Sequence, residues 1–213
     1  MNRREWTLAA VTLGALPSLA WAQAAGEPRQ GRDYNTLAKR VATEVPAGKI
    51  EVIEFFWYSC PHCYAFEPTM EAWIKAASPD VVVKRVPVAF RADFQPQQKL
   101  YYALESLNKV NELQIKVFNA IHRERQPLTT DDAIIAWAVK QGLDRARFTE
   151  AYQSFSVATK LRRAVQLQDE YKVEGVPSLG IAGRFYTDGT LAGSMERALQ
   201  VTDYLVDRVR KKL

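Results

Sequence analysis

Cys60-Pro61-His62-Cys63 follows directly on a β-branched and aromatic run, Ile50 to Trp57, and this junction restricts the possible folds more than any other part of the chain. The run comes after the turn signal Pro46-Ala47-Gly48 and has the composition of a central strand. Pro61 suits the first position of a helix, where its missing N–H is no loss. A helix is therefore predicted from Pro61 toward Ala77, kinked at Pro68. Val81 to Val86 supplies a second strand. Strand, helix and strand within about 40 residues form a βαβ unit, so the two strands should be parallel and joined by a right-handed crossover.

The two cysteines of the motif are the only ones in 213 residues. A C-x-x-C pair can hold a structural metal, staple a small loop or exchange electrons. Structural zinc needs about four protein ligands, and only His62 and His122 remain as nitrogen donors. His62 lies inside the motif, where it points differently from a chelating partner. A staple closing so short a loop removes little chain entropy. A redox-active dithiol is the reading best matched to the spacing.

From about Gln97 to Tyr171 the pattern is helical, punctuated at Arg125-Gln126-Pro127, at Gln141-Gly142 and near Phe155-Ser156. Thr129 to Asp132 reads as a helix start, followed by the apolar face Ile134, Ile135, Trp137 and Ala138 and a stop at Gly142. The block is too long for a loop and reads as an inserted helical subdomain. After Gly175-Val176-Pro177 the strand signal returns as a hairpin, Ser178 to Ala182 and Phe185 to Thr187, turning at Ala182-Gly183-Arg184. Ser194 then caps a closing amphipathic helix with Ala198, Leu199, Leu205, Val206 and Val209 on its apolar face.

Arg3-Arg4, an apolar stretch from Thr7 to Leu19 and Ala20-Trp21-Ala22 have the layout of a cleaved signal peptide over residues 1–22, with Ala24 as the next cleavage candidate. The arginine pair leaves both the general and the twin-arginine export routes open. Either route ends in a compartment where disulfides persist, which for this chain is the periplasm. Loss of Arg3, Arg4 and Glu5 from the 29 basic and 24 acidic side chains leaves a formal charge of +4. The dense basic runs, Lys160 to Arg163 and Arg208 to Lys212, read as solvated helix faces, and nucleic acid is not an expected partner. The remaining chain is long enough for one well-buried domain carrying an insertion.

At a helix start, Cys60 meets the positive end of the helix dipole, and Cys63 lies one turn on along the same face. Backbone N–H groups and His62 stabilise a thiolate at Cys60, and such surroundings lower a cysteine pKa from ~8.5 to between ~3.5 and 7.5. A stabilised thiolate makes the disulfide more oxidising and makes Cys60 a good leaving group from a mixed disulfide. Cys60 is the expected nucleophile and Cys63 the resolving thiol, with His62 supporting the thiolate; the alternative for His62 is an ordinary exposed polar residue. Glu54 interrupts an apolar strand in register with Ile50, Val52 and Phe56 and should point inward beneath the cysteines, where a buried acid needs a reason. Lys84 interrupts the second strand in the same way. His122 follows Ile115, Phe118 and Ile121 and reads as a surface or packing residue without a partner. Trp57 and Tyr58 either line a groove or belong to the core.

Glu54-Phe55-Phe56, Cys60-Pro61-His62-Cys63-Tyr64-Ala65-Phe66-Glu67, the helical insertion and Gly175-Val176-Pro177-Ser178 together resemble the DsbA family of thiol:disulfide oxidoreductases over nearly the whole exported chain. The resemblance implies an α/β thioredoxin fold, with residues 23–96 and 171–213 forming its domain and 97–170 inserted as an all-helical subdomain. It implies that Val176-Pro177 is a cis bond facing the cysteines, with the Val176 backbone pairing with substrate, whereas the sequence alone equally allows an ordinary turn proline. It further implies a buried Glu54–Lys84 pair beneath Cys63, acting either as a proton relay or as a structural ion pair. No metal or organic cofactor is implied, since the redox group is the Cys60–Cys63 disulfide. Implied partners are newly exported, unfolded thiol-bearing proteins and a membrane quinone reductase of the DsbB type, met by a monomer. A disulfide isomerase or reductase of the same fold and a non-catalytic redox sensor are the alternatives. Isomerases with an amino-terminal dimerisation domain need more chain than lies between Ala22 and the first strand.

Overall fold

The computed structural model describes residues 26–212, so the signal peptide expected over residues 1–22 lies outside the described residues. In chain order the elements are β1 (Asn35–Thr36), β2 (Ile50–Phe56), α1 (Pro61–Ala76), β3 (Val81–Pro87), α2 (Gln95–Ser106), α3 (Val110–His122), α4 (Asp131–Lys140), α5 (Arg145–Tyr152), α6 (Phe155–Glu170), β4 (Ser178–Ile181), β5 (Phe185–Asp188), α7 (Gly189–Ala192) and α8 (Met195–Arg210). The five strands form one sheet in the order β1-β5-β4-β2-β3. β2 pairs parallel with β3, as the βαβ pattern predicts, β4 and β5 form the expected antiparallel hairpin, and β4 joins that hairpin to β2 in antiparallel register.

All seven residues of β2 are buried because the strand has neighbours on both edges and helices on both faces. Successive side chains alternate between those faces. Ile53 and Phe55 join a core with Leu100, Leu104, Leu113, Phe118 and Phe148 of the helical segment. Ile50 and Val52 pack with Phe66 and Met70 of α1 and with Ala198, Leu199, Leu205 and Val206 of α8. Glu54 shares the second face by parity, directly under α1.

The helices start where the sequence offers side-chain oxygens. Thr130 caps α4 through the N–H of Ala133 (3.3 Å), Asp144 caps α5 through Arg147 (2.9 Å), Ser154 caps α6 through Val157 (3.2 Å) and Ser194 caps α8 through Arg197 (3.1 Å). Such caps stabilise a helix by about 1 kcal/mol each. The hairpin turns through Ala182 and Gly183, both at positive φ (54° and 65°), with the N–H of Arg184 returning to the Ile181 carbonyl at 2.9 Å. A Cβ at position 183 would run into the Val41 carbonyl, so the close approach also requires glycine there.

Two features depart from the sequence reading. The first helical stretch is cut at Leu107–Lys109, where Asn108 takes a left-handed φ of 56°. The two-residue β1 pairs with β5, and the four-residue α7 follows it; both are too short to carry a period. α1 spans Pro61–Ala76 with Pro68 inside it, as the sequence predicts for a helix from Pro61 toward Ala77. The basic runs are interlaced with acids: Lys160 meets Glu105, Arg163 meets Glu44 and Glu170, and Arg210 meets Asp80 and Asp207.

Candidate active site

β2 delivers the loop Trp57–Ser59 to the mouth of α1, where Cys60 is the N-cap residue and Pro61 opens the helix. Cys60 has extended dihedrals (φ −79°, ψ 118°), no side-chain oxygen to cap with, and no acid in the first turn to neutralise the helix end. Its sulfur makes no directed capping hydrogen bond but sits at the open N-terminus of the helix, under the influence of the first-turn N–H groups. The Cys63 thiol donates to it, the backbone N–H groups of Cys63 and His62 reach it, and His62 adds a favourable charge; against the opposing effect of burial these hold the Cys60 pKa at about 6. Cys63 is fully buried, and burial pushes its thiol well up, reinforced by its hydrogen bond to Cys60, the Cys60 charge and the Glu54 charge. Both cysteines are free, in the dithiol form.

The Val176–Pro177 bond is cis, as the resemblance implied. The Val176 carbonyl oxygen lies 3.4 Å from Cys60 Sγ, which places a backbone acceptor against the outer sulfur. Val176, Pro177 and exposed His62 line a cleft of about 340 Å³ with Gly189, Thr190 and Met195. Pro61 is exposed at the rim. Tyr58 belongs to the core, whereas Trp57 is half-buried and stacks on Phe94 at 3.8 Å, with 40% exposed Phe90 edge-on beyond it.

Glu54 is buried as expected, but its partner is Arg85 and not Lys84. Arg85 Nε lies 2.8 Å from Glu54 Oε2. The strand register gives the reason, because Glu54 pairs with Arg85 while Lys84 pairs with Ile53 and so projects from the opposite face. On that face Lys84 bridges Glu51 (2.9 Å) and Glu44 (3.1 Å) and is removed from the site. Arg85 Nη2 also reaches Glu67 (3.1 Å) and Glu71 (2.9 Å) of α1. One guanidinium thus faces three acids, two of them buried and Glu71 37% exposed. Neither Glu67 oxygen has a well-directed hydrogen bond, and burial raises its carboxyl to about 7 against the pull of Arg85. Burial raises Glu54 as well, again opposed by Arg85.

Two parts of the site went unread in the sequence. Cys63, Glu67 and Glu71 recur at four-residue spacing, which puts them on one helix face, and that signal was available. His122, taken as partnerless, places Nε2 2.8 Å from the Tyr58 carbonyl and stacks on Tyr64 at 4.8 Å. Its partner is 64 positions away, so nothing local announces the contact. Among the described residues, no group of three or more His, Cys, Asp and Glu side chains is arranged to hold a metal ion, and no helix is long and apolar enough to cross a membrane.

A family model for the DSBA-like thioredoxin domain matches residues 51–200. The chain is 41% identical over 202 residues to the thiol:disulfide interchange protein DsbA of Burkholderia cepacia, covering 95% of both chains. It is 44% identical over 205 residues to the DsbA of Bordetella pertussis, covering 96% of both. The crystal structure of Pseudomonas aeruginosa DsbA superposes with a TM-score of 0.82 at 35% identity, over 85% of this chain and 94% of that one. The oxidoreductase DsbA of Xylella fastidiosa gives 0.80 at 29% identity, over 86% and 98%.

Proposed function

Since the chain belongs to the DSBA-like thioredoxin domain family and is a thiol:disulfide oxidoreductase, we propose that it acts in the periplasm as a disulfide donor to newly exported proteins. A substrate thiolate attacks Sγ of Cys60 in the Cys60–Cys63 disulfide. The S–S bond breaks, Cys63 leaves and takes up a proton, and a mixed disulfide joins substrate to Cys60. A second substrate thiolate then attacks the substrate sulfur and releases Cys60 as a thiolate. Two electrons have passed from the substrate thiols to the Cys60–Cys63 pair, and the substrate holds a new disulfide.

The placement of Cys60 at the N-terminus of α1, with the Cys63 thiol donating to it, no acid in the first turn and His62 beside it, is the observation that carries this direction, and it holds the Cys60 pKa at about 6. A thiolate stable near neutral pH leaves readily and keeps the reduced protein favoured over its disulfide. Cys63, whose thiol is pushed up, needs a proton as it departs, and Glu54 is the nearby buried acid assigned to relay it. Val176 offers its backbone and Pro177 its ring to the substrate segment beside Cys60, with His62 and Pro61 shaping the mouth. The reduced protein, a monomer, is recharged by a membrane quinone reductase of the DsbB type. Lys84 has no part in the exchange.

Alkylation trapping in cells tests the direction. Cys60 and Cys63 should be recovered mainly as the disulfide, and a mainly dithiol population would instead assign the chain to reduction or isomerisation. Turnover with a dithiol peptide separates either activity from a binding module.

A further inference from the structure

The loop that carries the dithiol is held from outside its own layer. Trp57 to Ser59 makes few backbone bonds; the N–H of Cys60 returns to the Trp57 carbonyl at 3.0 Å. The other restraints come from side chains of α2 and α3. Gln97 Nε2 donates to Ser59 Oγ at 2.7 Å. The Tyr58 hydroxyl donates to Gln114 Oε1 at 2.6 Å, and the Tyr64 hydroxyl donates to Asn119 Oδ1 at 2.8 Å. His122 Nε2 lies 2.8 Å from the Tyr58 carbonyl. Residues immediately before and after the two cysteines are thus pinned to the helical insertion.

His122 is the member whose chemistry is least explained by stability. A carbonyl oxygen only accepts, so the proton of this hydrogen bond sits on Nε2. The imidazole plane lies 3° from that of Tyr64, the residue after Cys63, while Nε2 reaches the peptide two residues before Cys60. Gln114, Phe118 and His122 recur every four residues, so one face of α3 presents all three to the site. The ring is half-buried, whereas a residue serving only to fill the core would not need a directed N–H.

We propose that His122 is a positioning residue for the exchange reaction: by donating from Nε2 to the Tyr58 carbonyl it fixes the active-site loop so that Cys60 Sγ stays aligned with the backbone N–H groups of the first turn of α1. The inference rests on the proposed function only in that Cys60 is the sulfur that exchanges with substrate. It does not depend on the direction of electron flow. The insertion then does more than cover the sheet, because α3 sets the reactivity of a sulfur that it does not touch.

Two substitutions separate the hydrogen bond from the ring. His122→Phe keeps an aromatic plane against Tyr64 and deletes the donor, whereas His122→Gln keeps an N–H donor and deletes the ring. The pH dependence of Cys60 alkylation in the reduced full-length protein is the readout, with thermal unfolding as the control for folding. His122→Phe should raise the Cys60 midpoint by about half to one pKa unit and so slow alkylation at about pH 5, well below the midpoint, roughly threefold to tenfold, with less than about a twofold change at neutral pH. His122→Gln should restore most of the loss. If His122→Phe does not fold, His122→Leu supplies the same donor deletion in a smaller side chain. A wild-type midpoint near 6 together with an unmoved donor-deleted variant overturns the role of His122 alone; a wild-type midpoint at the ordinary thiol value overturns the assignment of Cys60 on which it rests.

Discussion

The mouth of α1 and the floor beneath it lie one helical turn apart and treat the same functional group in opposite ways. At the mouth, Cys60 receives the Cys63 thiol and lies against the N–H groups of the open helix end and the His62 charge, so its thiolate is favoured. On the floor, burial of Cys63 outweighs a single backbone contact from Trp57 and is reinforced by the Cys60 and Glu54 charges, so its thiol is favoured. The motif looks symmetrical on paper, but the helix start makes it directional. Polarity in a dithiol can come from where the helix begins, with the exposed His62 adding to it.

The largest expected effects fall on the sulfurs themselves. Cys60→Ser should abolish turnover, whereas Cys63→Ser should still attack a disulfide probe and stall as a mixed disulfide recoverable by non-reducing electrophoresis. Equal trapping by both variants would break the asymmetry between mouth and floor.

Removing the cation of the floor comes next. Arg85→Met leaves Glu54, Glu67 and Glu71 facing one another and should cost about 3–5 kcal/mol near neutral pH. The sign with pH follows from carboxyls raised above their unfolded value of ~4.3. Ionising them opposes the fold, so the loss is small at pH 4 and grows as pH rises toward and beyond about 7, the value to which Glu67 is already raised. Chemical denaturation at several pH values reads this directly, and a pH-independent cost would mean that the acids do not carry the strain.

Glu54→Leu sharpens the comparison from the floor side. If Glu54 relays the Cys63 proton, the exchange rate should fall about tenfold, below the range for a direct acid or base, and the reduction potential should move with it. Unchanged values would leave Glu54 as a structural partner of Arg85. The smallest effect on exchange belongs to Lys84→Met, which should leave it unchanged; the cost falls on stability, because buried Glu51 loses its cation and keeps only the Glu44 N–H. A marked loss of exchange would return Lys84 to the site.

Much of this arrangement was legible because its signals are local. The β2 run, Pro61 at a helix start, the Gly183 turn and the Ser194 cap each declare themselves within a few residues, and together with the motif they point to the nucleophile. Lys84 and Arg85 show where that ends. They are adjacent and both cationic, so composition cannot say which one faces Glu54; only the pairing of Glu54 with Arg85 across β2 and β3 decides it. His122 is the longer-range version of the same problem, since its contact exists only after α3 has packed on the active-site loop. The break at Asn108 and the brief β1 and α7 were missed for want of enough residues to show a period.

The acidity of Cys60 in the reduced protein tests the central claim most directly. Alkylation rate measured against pH, with the labelled cysteine identified by peptide mapping, should rise through a midpoint near 6 and level off above it, with the label on Cys60 and not on Cys63. A midpoint near the ordinary thiol value of ~8.5, or comparable labelling of both cysteines at neutral pH, would contradict it.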